Sequence, residues 1–200
     1  MSTNDVAWFR APSDGDPGTL NACYNALDVH VIRGRADDVA LTLDGVERSF
    51  ARLLTEVAAC AGVLRAFGVG PGDQVAVGSL PPETAVVAVL ATARVGAVVQ
   101  HDDSPGAQGK VVLAGTPDGV VLRVDGEDLA WDVAMRAGRT DPAACADVPG
   151  DAVLARHADD TLTVLAALGA SDDQKAVAPA GATLVEVGGL TFWSFDAPVG

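Results

Sequence analysis

Two hundred residues are enough for one domain with a sizeable core, and 49% of them are hydrophobic. Aromatics make up only 4%, so that core must be built mainly from Ala, Val and Leu. The formal net charge is −14, a field that repels nucleic acid and anionic membranes, since both are bound through Lys and Arg.

Neither is therefore expected as a partner, which leaves a protein partner or a homo-oligomer. The acidic surface reads as a solubility device. Cys23, Cys60 and Cys145 are odd in number and widely spaced, without a CxxC or a Cys/His cluster, so no metal site is expected. Cys60 lies in an apolar helical run and reads as a buried small hydrophobe. The polar N-terminus carries Asp5 and Arg10 and does not read as a secretory leader. The longest apolar stretch, Ala85 to Val99, is interrupted by Arg94 and too short to span a bilayer. A soluble, cytoplasmic protein is expected.

Residues 1–19 are rich in Gly, Pro, Ser and Asp and read as an extended N-terminal arm, with a single α/β domain over 20–200. Leu20 to Ile32 has a 3.6-residue apolar period and predicts a helix. Val39 to Leu43 predicts a strand, Asp44-Gly45 a hairpin turn and Val46 to Ser49 its return. Ser49 is suited to cap a helix over Phe50 to Phe67, which Gly68 ends. A turn at 70–73 precedes a short strand over Val75 to Gly78. Pro81-Pro82-Glu83 opens a second helix, apolar nearly all round, which Gly96 stops before a strand at Ala97 to Val99. Strand–helix–strand–helix–strand over 39–100 argues for a parallel sheet with flanking helices.

Beyond Gln100 the pattern is weaker. A loop over 101–109 is followed by strands at Val111 to Leu113 and Val120 to Val124, a short helix at Asp128 to Ala137, and turns over 140–150. Residues 151–171 read as an apolar, helix-like run, with Leu162 to Leu168 as its helical part. Thr183 to Val187 and Leu190 to Phe195 read as a closing β-hairpin across Gly188-Gly189.

Several phrases in the first hundred residues resemble AMP-forming acyl-CoA synthetases of the acetyl- and propionyl-CoA type. They are Trp8-Phe9, LNACYNALDVH (20–30), Gly34 to Asp37 with VALTL, LRAFGVGPGDQVA (64–76) and PPETAVVAVLATARVGA (81–97). GEDLAWDVAMRAGR (126–139) is a fainter likeness. Val29 stands where the family commonly has Arg, and Arg52 where it often has Glu. The resemblance implies the fold of the N-terminal subdomain of adenylate-forming enzymes, with 20–100 as synthetase-like core and 101–200 as a shortened, divergent part. It also implies ATP or AMP and CoA as family cofactors.

The chemistry that the resemblance implies needs donors and cations around phosphate. The family's Pro-Lys-Gly loop has no counterpart here, and Lys110 and Lys175 are the only lysines. Lys110 is expected to open a strand and face solvent. Gly115-Thr116-Pro117-Asp118-Gly119 is the nearest glycine loop, but it lies between two strands and reads as a hairpin turn. His101-Asp102-Asp103 follows a strand and reads as a solvated loop, with metal or acid–base chemistry as the alternative. His30, near Asp28, is expected to pack or to tune a helix end, and His157, near Asp159 and Asp160, is a candidate switch. Trp8, Trp131 and Trp193 are expected to pack.

No catalytic residue, metal ligand or bound cofactor is therefore expected, and no cofactor-binding residue is assigned. The reading is a truncated synthetase-like protein, non-catalytic and acting as an interaction or regulatory module in acyl metabolism. The alternatives are an acyl- or adenylate-binding acid–CoA ligase whose site is unconventional or completed by a partner, and a chain without a selected function.

Overall fold

The computed structural model describes residues 6–102, 107–171 and 175–195. A seven-stranded sheet carries the fold. Its strands are β5 (Gln74–Val77), β6 (Val98–His101), β7 (Val111–Thr116), β8 (Gly119–Val124), β9 (Glu127–Ala130), β11 (Val153–His157) and β12 (Asp160–Thr163). Their order is β12-β11-β6-β5-β7-β8-β9. The four central strands are parallel, and each edge is finished by an antiparallel hairpin. The partly parallel α/β architecture expected from the sequence is therefore present.

The helices form where the punctuation says they should. The Ser49 hydroxyl accepts from Arg52 N at 3.3 Å and opens α2 (Phe50–Ala66), which buries Leu53, Val57, Cys60, Ala61 and Leu64. Gly68 leaves α2 with φ 75°, a conformation that costs a β-carbon-bearing residue energy. In α3 (Pro82–Arg94) every residue from Ala85 to Arg94 is buried. It packs against α2, β5 and β6, as an all-round apolar helix must. The α4 helix (Trp131–Gly138) crosses α2 closely. A β-carbon on Gly138 would lie 2.1 Å from the Ala59 carbonyl oxygen, and one on Gly62 would lie 2.2 Å from that of Asp141.

Smaller sheets surround this body. β1 (Trp8–Arg10), β2 (Thr19–Leu20) and β10 (Val148–Pro149) form an antiparallel trio. The segment read as an arm thus pairs, through Thr19, with Pro149 in the second half of the sequence. β3 (Val39–Leu43) and β4 (Val46–Ser49) form a hairpin of their own, as do β13 (Thr183–Val187) and β14 (Leu190–Ser194).

Four expectations change. β3 is not part of the parallel sheet: Asp44 (φ 50°) and Gly45 (φ 76°) turn the chain back so that β3 pairs with β4 alone. Leu20 is in β2 rather than the first helix. That helix contains a π-helical turn, Tyr24–Asp28, continued by α1 (Val29–Ile32), and Tyr24 N donates to Asn21 Oδ1 at 3.2 Å near its start. The strand β9 takes Glu127 to Ala130, so the helix predicted from Asp128 begins at Trp131. The apolar run at 151–171 is mostly the β11–β12 hairpin, and only α5 (Val164–Ala167), capped by Thr163, is helical. A short apolar run fits a buried strand as well as a helix, and here pairing with β6 decides it.

Candidate functional site

Parallel strands tend to place ligands beyond their carboxyl ends, where connecting loops splay apart. The ends of β5, β6 and β11 open there into a cleft of about 360 Å³ lined by Val77, Gln100, His101, Asp102, His157, Ala158 and Phe195. β6 delivers Gln100 and His101, and its parallel pairing with β11 brings His157 alongside. The His157 Nδ1–H donates to the His101 carbonyl oxygen at 3.2 Å. Phe195, just after β14, closes one wall with its ring 4.8 Å from that of His101 and 4.4 Å from that of His157.

Two of the histidines named from the sequence thus share one cleft. His101 is buried and His157 half-buried. Asp102 lines the same cleft, and Asp103 lies outside the described residues. Asp160 lines a different depression, with Lys175 and Trp193. No Lys or Arg is among the described residues that line the histidine cleft. The lining thus offers two imidazoles, a carboxyl group, an amide and a phenyl ring.

The other sequence candidates are built into the scaffold. His30 is buried and stacked on Phe50 at 4.4 Å between centroids. Its Nε2–H donates to the Gly188 carbonyl at 2.9 Å, so Nδ1 is the acceptor for Arg35 at 3.1 Å. Asp28 turns instead to Arg94. Lys110 faces solvent as expected, and its exposed ammonium donates to the Gly68 carbonyl and, at 3.0 Å, to Asp73. The Gly115–Gly119 stretch is the β7–β8 turn, where the Thr116 hydroxyl donates to Gly119 O at 2.7 Å. Trp193 is buried, with its indole N–H on Val177 O at 2.8 Å, while Trp8 and Trp131 pack half-buried against the core.

A second cluster was missed from the sequence. Arg94, near the end of α3, donates to Asp28 through two nitrogens at 2.7 and 3.1 Å, to Ala143 O through Nε at 2.7 Å and to Cys23 Sγ at 3.6 Å. Cys145 Sγ lies 3.8 Å from Asp28 Oδ2. Burial works against the charge on Arg94, yet the hydrogen bond to Asp28 and the neighbouring sulfurs hold its pKa above the ordinary arginine value. Asn21 Nδ2 binds the carbonyls of Ala93, Arg94 and Ala146 at 2.9 to 3.1 Å. The phrases LNACYNALDVH and ARVGA are thus bonded to each other, and their polar residues serve the scaffold.

Comparison with known proteins agrees with this architecture. A solved acyl-CoA synthetase from Brucella canis superposes with a TM-score of 0.56 over 78% of this chain and 37% of its own, at 21% identity. The fold is therefore that of an adenylate-forming enzyme's partly parallel α/β region. The family model described as AMP-binding enzyme matches residues 29–104. Acetyl-coenzyme A synthetase 2 of Eremothecium gossypii is 36% identical over 151 residues, or 70% of this chain and 20% of that protein. The acetyl-coenzyme A synthetase of Shewanella denitrificans is 38% identical over 148 residues, or 68% and 20%. Over these stretches the chain is of an AMP-forming acyl-CoA synthetase-like family. It spans between 14% and 20% of the length of the curated relatives it matches. ATP or AMP and CoA are what that likeness implies. Among the described residues, no helix is long and apolar enough to cross a membrane.

Proposed function

We propose that these 200 residues act as a non-catalytic, acyl-CoA synthetase-like module of acyl metabolism, cytoplasmic and working through a protein partner or a second copy of the chain. The observation that carries this reading is the lining of the cleft at the strand ends. Adenylation develops charge on phosphate oxygens, and its catalysts place Lys, Arg, Mg²⁺ and backbone N–H groups around them. Here the lining offers Gln100, His101, Asp102, His157 and Phe195, while Lys110 is held by Gly68 and Asp73 and Arg94 by Asp28.

ATP–pyrophosphate exchange tests this directly. The purified chain, offered acetate, propionate and butyrate in turn with Mg-ATP, is expected to give background exchange. Exchange above background with any of the acids sinks the non-catalytic reading.

The same cleft favours one alternative, an acyl-binding site that a partner completes. Two imidazoles beside a phenyl ring would hold a short carboxylate without holding ATP. A rise in melting temperature with propionate but not with ATP selects this second reading, and no rise with either retains the first.

A further inference from the structure

Cys23 and Cys145 sit far apart in sequence, yet their sulfurs and an Asp28 carboxylate oxygen all lie within 4.8 Å of one another. Cys23 is fully buried in the turn that leads to Asp28, and Cys145 is half-buried in the loop after α4. That loop is fixed on both sides of Cys145. Ala143 N donates to Ala58 O at 3.0 Å, and Ala143 O receives Arg94 Nε at 2.7 Å. Ala146 N donates to Arg94 O at 2.8 Å, and Ala146 O receives Asn21 Nδ2 at 2.9 Å. The two sulfurs are therefore presented to each other by a backbone that is tied down.

Two Cys and one Asp could also be read as metal ligands. Charge argues against it, because Arg94 already donates to both oxygens of Asp28 and to Cys23 Sγ. A divalent cation would have to enter beside a buried guanidinium.

We infer that Cys23 and Cys145 are a redox pair that closes to an intramolecular disulfide under a two-electron oxidant such as a peroxide. The bridge would lock the 143–146 loop onto the turn that carries Cys23 and Asp28. A disulfide needs an S–S distance of about 2.0 Å, so closure takes side-chain rotation and a small loop shift. Cys145, the less buried residue of the two, reacts first as thiolate. Its sulfur attacks one peroxide oxygen, the O–O bond breaks, and the departing hydroxide takes a proton to leave as water. The Cys23 sulfur then attacks the Cys145 sulfenic acid, the S–O bond breaks, and the second hydroxide leaves as water with the Cys23 proton. Two thiols are oxidised by two electrons, and one peroxide is reduced to two waters. Arg94 is placed to stabilise negative charge that develops on Cys23 during the attack.

The hydrogen bond to Cys23, then burial, and also the Asp28 charge push the Cys145 thiol up, so it keeps its proton near neutrality. Oxidation should therefore be slow at pH 7 and quicken as pH rises. Cys60 is an internal control, since burial alone pushes its thiol up to about 12.

The test uses the reduced, folded chain treated with hydrogen peroxide, then N-ethylmaleimide and trypsin, and mapped by mass spectrometry. The expected product joins the peptides spanning 11–33 and 140–156 with the loss of two hydrogens. It should form on the order of tenfold faster for each pH unit above 7. The oxidised chain should melt roughly 10 °C higher, because the bridge closes a long loop in the unfolded state. Cys60→Ala should leave the linkage intact and Cys145→Ser should abolish it. Absence of that peptide pair from the wild type overturns the inference. So does linkage through the 53–65 peptide or between chains, or sulfinic acid at Cys23 or Cys145 without linkage.

Discussion

The Asp28–Arg94 pair offers the sharpest test of how this scaffold is held together. Both side chains are largely withdrawn from water, at 17% and 8% exposure. Two charges about 4 Å apart at an effective dielectric near 20 attract by roughly 4 kcal/mol. Asp28→Ala removes that attraction and two charge-assisted hydrogen bonds, and it leaves a buried guanidinium with Ala143 O and Cys23 Sγ as the partners of its side chain among the described residues. Truncating one partner of such a pair costs about 3–5 kcal/mol. For a chain of this size that is a drop in Tm of roughly 6–20 °C. Arg94→Met removes the opposite charge and leaves Ala143 O without that donor, a cost on the order of 1–3 kcal/mol for the carbonyl alone. The double variant carries no unpaired charge, so it should be far less destabilised than the sum of the two single variants. The assay is urea unfolding of all four proteins followed by tryptophan fluorescence. A coupling of at least about 2 kcal/mol is expected. Costs that add to within about 0.5 kcal/mol refute the view that the pair acts as one unit.

Two further variants test other joints. The Asp73 carboxylate accepts from Gly70 N at 2.9 Å and from Lys110, and these two hydrogen bonds, in that order of weight, hold its pKa below the usual carboxylate value. A depressed folded pKa contributes stability above the unfolded value, near pH 4, that is lost as pH falls through the folded one. Asp73→Asn should therefore flatten the acid limb of stability below about pH 4, read as urea midpoints at pH 5 and pH 3; a limb as steep as the wild type's would contradict this origin. Gly138→Ala should cost about 1–3 kcal/mol, because its methyl group would meet the Ala59 carbonyl and Val63 across the α2–α4 crossing. Gly70→Ala, with open space around it, is the control, and equal melting temperatures for the two variants would show that the crossing yields freely.

Much of the fold could be read because punctuation residues mark it. Pro81-Pro82 and Gly96 bracket α3, Ser49 and Gly68 bracket α2, and Asp44-Gly45 and Gly188-Gly189 turn the two hairpins. The candidate cleft could not be read, for a specific reason. His101 and His157 are 56 residues apart, and what joins them is the parallel pairing of β6 with β11. With β11 taken as helical, His157 had no place beside a strand end. The hydrophobic period of residues 151–171 cannot separate the two choices, and the sheet contact that decides them is long-range.

The buried cluster is a different kind of omission, because a signal for it was present. Arg94 interrupts an otherwise apolar helix that has to be buried all round, and a charge in that position requires an anionic partner. Asp28 stands in the first helix, between Leu27 and Val29, and is no less out of place there. Within its own element, Arg94 reads as a break in a hydrophobic run and Asp28 as a neighbour of His30. Put together, two misplaced opposite charges predict their own contact, 66 residues apart. The same contact joins two of the synthetase-like phrases, since LNACYNALDVH and ARVGA bind each other through Asn21, Asp28 and Arg94.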